Sequence, residues 1–394
     1  MRPLEEYATT QYILHKHHLL PSSKGESIIQ VVNDIIALHA TSVGTTYLSL
    51  FARMRNFKRR DLDEEFYKKR KLLRLRAMRG TLFITSTELA PIIYQAVRLN
   101  LLKASNRILA PNKVMPQHEF DELKKRLCDV LKDGGKTLPE IKRALPKSII
   151  RTLELKEGKS IYRMSNLSIA LNLLIRQGII ISEKDAGTLS ITKANRYMLF
   201  KEVYPNLDLE SIGVEDAKTM LVRRYIKTFG PVTEEDIAWW TSLSKTDLKK
   251  VITTIEKELL QVNIEGFERE YLMLQTDYAQ FVKFKPPKTR SVQLLPYEDP
   301  YTKGYKIRDR LIDKKYEKNA YVGGGVQPTI LLDGKIIGTW NRSMEEGKGP
   351  IKLYFFQHPE SAIEREVIKK AKSLGKLMAN QEVSIKIENR RLTA

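Results

Sequence analysis

Ile179-Ile-Ile-Ser-Glu-Lys-Asp-Ala-Gly-Thr-Leu-Ser-Ile191 reads as strand, turn and strand: an apolar run, a polar tip containing Gly187, and a second short run. The stretch before it reads as helical. Thr137-Leu-Pro-Glu-Ile-Lys-Arg-Ala-Leu145 opens with Thr at an N-cap position and Pro139 in the first turn, where a missing N–H costs nothing. After a polar loop, Ser165 is placed to cap a helix over Leu167–Gln177. That helix carries Leu167, Ala170, Leu171 and Leu174 on one face and stops at Gly178. Short helix, turn, longer helix and hairpin, in that order, predict a winged helix with Ser182–Ser190 as the wing.

The same order recurs on both sides. Downstream, Val214–Phe229 reads as a helix stopped by Gly230-Pro231. Thr233 with Asp236 caps Glu234–Thr241, and Ser244 with Asp247 caps Lys245–Leu259. Leu260–Ile264 and Tyr271–Leu274 then pair across Gly266. Upstream, helices are expected over Tyr7–His18, Glu26–Ala40 and Thr45–Met54, with Arg74–Thr85 as the strand region. Leu89–Leu109 and Gln117–Lys132 read as connecting helices. From Pro286 the texture changes to short strands: Ser291–Leu295, Thr329–Trp340 folded at the Asp333-Gly334 hairpin signal, and Ile351–Phe356. A helix over Ser361–Ala379 and a last strand over Val383–Glu388 follow. The expected class is α+β, divided at 1–88, 89–134, 135–204, 205–286 and 287–394: winged helix, helical connector, two further winged helices, and a β-rich module.

Sixty-eight Lys and Arg against 47 Asp and Glu leave a formal charge of +21, a surface that attracts polyanions, nucleic acid above all. A membrane surface is the rival partner. It would bring a lipidation motif or a strongly amphipathic basic terminus, and neither is present. No apolar run approaches the ~20 residues of a membrane span. The opening residues carry acids and no apolar core, so no secretory signal is expected. The single cysteine, Cys128, excludes an internal disulfide and a cysteine-based zinc site. The chain reads as cytoplasmic and nucleoid-associated.

Chemistry concentrates around Ile36-Ala-Leu-His-Ala-Thr-Ser-Val43. Ile28, Val32 and Ile35 recur at helical steps and His39 falls next on that stripe, with the Thr41 hydroxyl two residues on. The structural alternative is a core histidine at a helix C-terminus, where imidazolium suits the dipole. From Arg53 to Arg79 there are 12 Lys and Arg against four Asp and Glu, interrupted by Phe57, Phe66, Tyr67 and Leu72. One face of that segment should pack while Arg53, Arg55, Arg74, Arg76 and Arg79, joined by Lys184 on the wing, meet phosphates. Such contacts position a duplex without reading its bases.

Other constellations carry less. His15-Lys-His17-His18 lacks a partner pair at ligand spacing, so helix-end cations are expected there and no metal. Gly323-Gly-Gly325 has no Gly-Lys-Ser/Thr after it and reads as a turn. Trp239-Trp240 suits either a core or a base-stacking surface. Glu298 and Asp299, at a strand end, are the reserve acids for general-base work.

Several of these segments together resemble the AlkZ/YcaQ-type winged-helix DNA glycosylases. Ala37-Leu-His-Ala-Thr-Ser-Val-Gly-Thr-Thr-Tyr-Leu-Ser-Leu50 is similar to the block holding that family's catalytic Gln-x-Gln or Gln-x-Asp, and Leu75-Arg-Ala-Met-Arg-Gly-Thr-Leu82 to its Arg-Gly-Thr-Leu-His segment. Leu294-Leu-Pro-Tyr-Glu-Asp-Pro-Tyr-Thr-Lys-Gly-Tyr305, Arg308–Arg310 and Pro328–Trp340 resemble its C-terminal blocks. The resemblance implies three tandem winged helices and a barrel-like module around a basic channel that holds double-stranded DNA. It also implies monofunctional excision of alkylated (N7 or N3) purines, or unhooking of interstrand crosslinks, without metal or cofactor. The catalytic positions fall on His39 and Thr41, so Gln-x-Gln has become His-x-Thr, and the His of Arg-Gly-Thr-Leu-His is Phe83 here. Two functions follow: a glycosylase using His39 as base or water-orienting group, or a non-catalytic DNA-binding regulator with a vestigial pocket.

Overall fold

A computed structural model describes residues 2–109, 114–157, 160–184, 195–342, 349–379 and 381–388. Helix boundaries follow the caps. Ser165 Oγ accepts from Ser168 N, Thr233 Oγ1 from Asp236 N and Ser244 Oγ from Asp247 N, which starts the helices Asn166–Arg176, Glu234–Thr241 and Lys245–Thr254. Each cap satisfies a backbone donor that a helix cannot satisfy itself. Val214–Phe229 and Ser361–Ala379 form as expected. The expected wing, Ser182–Ser190, lies largely outside the described residues; the strands on either side, Ile180–Glu183 and Arg196–Leu199, pair antiparallel.

Three stretches thus pair helices with antiparallel strands. In the first, Leu38–His39, Leu82–Ser86 and Leu72–Arg76 form a sheet with Leu82–Ser86 at its centre. In the second, Arg196–Leu199 lies between Lys136–Thr137 and Ile180–Glu183. In the third, Leu259–Ile264 pairs with Phe267–Leu274. The polar loop expected before Ser165 is instead a hairpin, Thr152–Glu157 with Ser160–Ser165. Its Thr-Leu-Glu-Leu-Lys-Glu alternation has the period of a strand, beneath a composition that reads as loop. The C-terminal module is a five-stranded sheet, ordered 292–295, 329–332, 335–341, 351–355 and 385–387, not a closed ring. Helix Ser361–Ala379 lays Val367, Ala371 and Leu374 against Val292, Ile330, Trp340 and Leu353 of that sheet.

Packing unites the parts unevenly. The middle stretch has its own core of Phe120, Leu127, Ile141, Leu167, Leu174 and Ile180. The largest core instead joins distant segments: Ile13 and Leu73, Ile93 on the connecting helix Ala90–Leu109, Val222 and Phe229, and Leu295 and Tyr301. The N-terminal stretch and the C-terminal module therefore share an interior, and a site can form between them. Among the described residues no helix is long and apolar enough to cross a membrane.

One expectation fails at an informative place. The helix meant to run to Ala40 ends at Asp34. Ile36 stands at φ 71, a left-handed conformation that a β-branched residue adopts only under strain, on the order of 1–3 kcal/mol. Thr85 Oγ1 holds its carbonyl at 2.8 Å. Beyond this turn the chain is extended, and His39 sits on a strand instead of completing the helical stripe.

Candidate active site

Strand register decides what His39 meets. It pairs with Phe83, and the two rings meet edge to face at 5.3 Å. The segment is pinned from three sides: Ala40 N donates to Leu82 O at 2.8 Å, Arg74 Nε donates to Ala40 O at 3.1 Å, and Thr45 Oγ1 donates to His39 O at 3.2 Å. Thr41 is exposed, with its hydroxyl 3.5 Å from His39 Nε2. Glu298 approaches from the C-terminal module and places Oε2 at 3.5 Å from the same nitrogen. At 3.5 Å neither contact is a good hydrogen bond. His39 Nδ1 is buried with no protein partner.

That imidazole is 6% exposed and neutral at physiological pH. Burial drives its pKa down to about 4; Glu298 opposes the shift, while Lys303, Arg79 and Arg74 reinforce it. Glu298 stands at φ 57. Its Oε1 accepts from Val326 N at 2.6 Å and Lys303 Nζ at 2.9 Å, so its other oxygen is the one presented to His39. His39, Met78, Arg79, Phe83, Glu298 and Lys303 border a cavity of about 10 Å³, roughly the space one ordered water needs. A neutral base, a carboxylate and room for a water are brought together from segments about 260 residues apart in the chain. That set can orient a water and accept its proton.

The other reserve acid has a structural job. Arg53 donates to Asp299 Oδ2 at 2.8 Å and Oδ1 at 2.7 Å, and Ser49 Oγ donates to Oδ2 at 2.5 Å. Asp299 also caps Pro300–Lys303 by accepting from Tyr301 N. Both charged side chains are fully buried. Asp299 is therefore no free base, and Arg53 no phosphate contact.

Three other expected phosphate contacts are also drawn inside. Arg74 is buried and reaches Ser182 O as well as Ala40 O, so it ties the His39 segment to the strand Ile180–Glu183. Arg76 donates to Gly80 O and Asn172 Oδ1. Lys184 is buried, and burial lowers its pKa. Arg55 remains exposed, loosely facing Glu26 at 3.6 Å. Arg79 differs from all of these. Its backbone is left-handed at φ 55, its N–H donates to Ser242 Oγ, and its guanidinium stacks 4.2 Å over the Trp239 ring beside the cavity. Trp240 is core, packed on Tyr225 and Phe229.

Lys303 is the neighbour that sequence reasoning missed, although it lies four residues beyond the acid pair that was singled out. The histidine run disperses. His17 is fully buried between Phe229 and Tyr301 with its pKa well below the usual value, so it is no helix-end cation. His18 pairs with Asp34 at 2.8 Å. Among the described residues no cluster of three or more His, Cys, Asp or Glu is set to hold a metal ion.

Comparison with known proteins places the chain in a family and its fold. The profile of the AlkZ-like DNA glycosylase family matches residues 32–377. An interstrand DNA cross-link repair glycosylase of Streptomyces sahachiroi is 28% identical over 131 residues, 32% of this chain. That match spans only about a third of the relative's own length (34%). The solved structure of the Streptomyces sahachiroi DNA glycosylase AlkZ superposes with a TM-score of 0.75 at 18% identity, covering 98% of this chain and 100% of that one, and shares the mixed α+β fold.

Proposed function

The chain belongs to the AlkZ-like DNA glycosylase family, and on that premise we propose that it binds double-stranded DNA of the nucleoid and hydrolyses the N-glycosidic bond of a damaged purine. In this reading residues 1–88, 135–204 and 205–286 are winged helices, 89–134 connects them, and 287–394 completes a basic channel that holds the duplex. The observation that carries it is the state of His39. A buried polar group in a folded protein is nearly always hydrogen-bonded. His39 is neutral, buried, without a good partner at either nitrogen, and borders space for one water.

The chemistry follows from the leaving group. A purine alkylated at N7 or N3 is already cationic, so it departs without prior protonation. What remains is to place a water and to stabilise the sugar cation. His39 accepts the proton of that water, the Thr41 hydroxyl gives it a second contact, and the Glu298 carboxylate faces the positive charge developing at C1′. Arg79, stacked on Trp239, is the cation best placed to hold a backbone phosphate beside the site. The interstrand cross-link activity in the name of the Streptomyces relative supports bulky alkylation products as the substrate class.

The test is release of N7-methylguanine from a duplex and unhooking of a crosslinked duplex. His39→Ala should reduce release by about 10²–10⁴, the usual value of a general base, while duplex affinity stays within a few-fold. Release undiminished in His39→Ala would move the role to Glu298. No release from either substrate, with tight duplex binding, would leave a DNA-binding regulator with a vestigial pocket.

A further inference from the structure

The cavity wall holds an amine that water-mediated base release does not use. Lys303 is 6% exposed, at the end of the short helix that Asp299 caps. Its Nζ donates to Glu298 Oε1 at 2.9 Å and to the carbonyl of Gly324. The other oxygen of the same carboxylate faces His39 at 3.5 Å. One oxygen of the acid therefore holds the amine while the other faces the imidazole, and both side chains border the same cavity. In the glycosylase reading, the sugar carbon attacked by a water at His39 would approach the mouth of the cavity that this amine also borders.

We propose that Lys303 gives the site a second activity, cleavage of the DNA strand at an abasic deoxyribose through an imine. The inference rests on the glycosylase reading only in placing a deoxyribose at this cavity. An ordinary structural ion pair is the competing account, but pairs buried for stability alone gain little over apolar packing. This one stands where a reacting sugar would be. Burial and the cations Arg79 and Arg308 lower the lysine's pKa, which Glu298 resists, so the free amine is easier to reach than in an exposed lysine.

The steps balance without any further reagent. Glu298 takes a proton from the ammonium. The amine attacks C1′ of the ring-opened aldehyde, and the carbinolamine loses water to give a protonated imine. Neutral His39 removes a C2′ proton, the electron pair passes through the imine as an enamine, and the C3′–O bond breaks. The 3′ phosphate leaves as a 5′-phosphorylated strand end. Water then hydrolyses the unsaturated imine and returns the amine.

The experiment uses the full-length protein and a duplex whose abasic aldehyde is made beforehand, so no base release is required. Borohydride should trap wild type as a covalent adduct that survives denaturing electrophoresis, with the attached sugar on the peptide containing Lys303. A duplex with a tetrahydrofuran abasic analogue, which has no aldehyde, should give none. Lys303→Arg keeps a cation for Glu298 and should lose the adduct while still shifting the abasic duplex on a native gel. No wild-type adduct, or an adduct that persists in Lys303→Arg, overturns the proposal. Trapping with no release of any alkylated base would leave the lyase standing and sink the glycosylase reading. Base release with no trapping would do the reverse.

Discussion

Replacing Arg53 by Met separates a buried strut from a DNA contact. Arg53 makes three hydrogen bonds, at 3.0 Å to Ser49 O and at 2.8 and 2.7 Å to the two oxygens of Asp299. The pair has no solvent access. Methionine matches the aliphatic stem but leaves Asp299 charged, with only the Ser49 hydroxyl and the Tyr301 amide to compensate. Removing one partner of a fully buried pair costs about 3–5 kcal/mol. Arg53→Met should therefore lower the urea midpoint by the equivalent of about 4 kcal/mol. Adding Asp299→Asn should recover most of that loss, because the buried charge disappears while an N-cap acceptor remains. Duplex affinity and its salt slope, measured where the variant is folded, should not change. Unchanged stability together with a salt slope shallower by about 0.9 would refute the reasoning and return Arg53 to the phosphates.

Three further outcomes follow from the site. His39 ionises near 4 when folded, against about 6.5 in an unfolded chain, so the unfolded state binds the proton first as pH falls. Its contribution to stability is complete above pH 6.5 and is lost on descending to pH 4, by about 3 kcal/mol in all; urea titrations of wild type against His39→Gln should diverge over that window, and parallel curves would contradict a buried neutral imidazole. Base release should likewise hold level from neutral pH to about 5 and fall only below the His39 pKa. Arg79→Ala should reduce the salt slope of duplex binding by about 0.9, one phosphate's worth, with the fold intact. An unchanged slope would confine Arg79 to its stack on Trp239.

What was legible in the chain was local. Thr233, Ser244 and Ser165 announce helix starts because a cap and its amide lie within three residues of each other. Phe57, Phe66, Tyr67 and Leu72 mark the packed face of the basic segment: Phe57, Phe66 and Leu72 are buried and Tyr67 is half-buried. The long-range pairings were not legible. Arg53 looks like one more surface cation until Asp299 arrives from 246 positions away. Arg74 looks the same until the carbonyls of Ala40 and Ser182 close round it. Glu298 and Asp299 are neighbours in sequence with opposite fates, and the left-handed backbone at Glu298 is the local difference between them. No composition or period encodes that turn.

The two departures from the family's motifs also look independent in sequence, at positions 39 and 83. In the sheet they face each other, His39 paired with Phe83 and the rings in edge contact. Where the resembling family's Arg-Gly-Thr-Leu-His segment carries an imidazole, this chain has Phe83 on the central strand, and the His39 imidazole stands directly across on the neighbouring strand. The exchange changes the surroundings of the base more than its location. An aromatic partner offers no hydrogen bond, so it meets neither imidazole nitrogen and adds to the burial that keeps the ring neutral. Glutamine at position 39 could orient a water but could not take its proton. A histidine kept neutral by burial, to which the Phe83 ring contributes, is able to do both, so in the proposed mechanism the two substitutions would act together. Returning both residues together, His39→Gln with Phe83→His, should therefore preserve more base release than either change alone. Additive losses in that double-mutant cycle would show the two positions to be uncoupled.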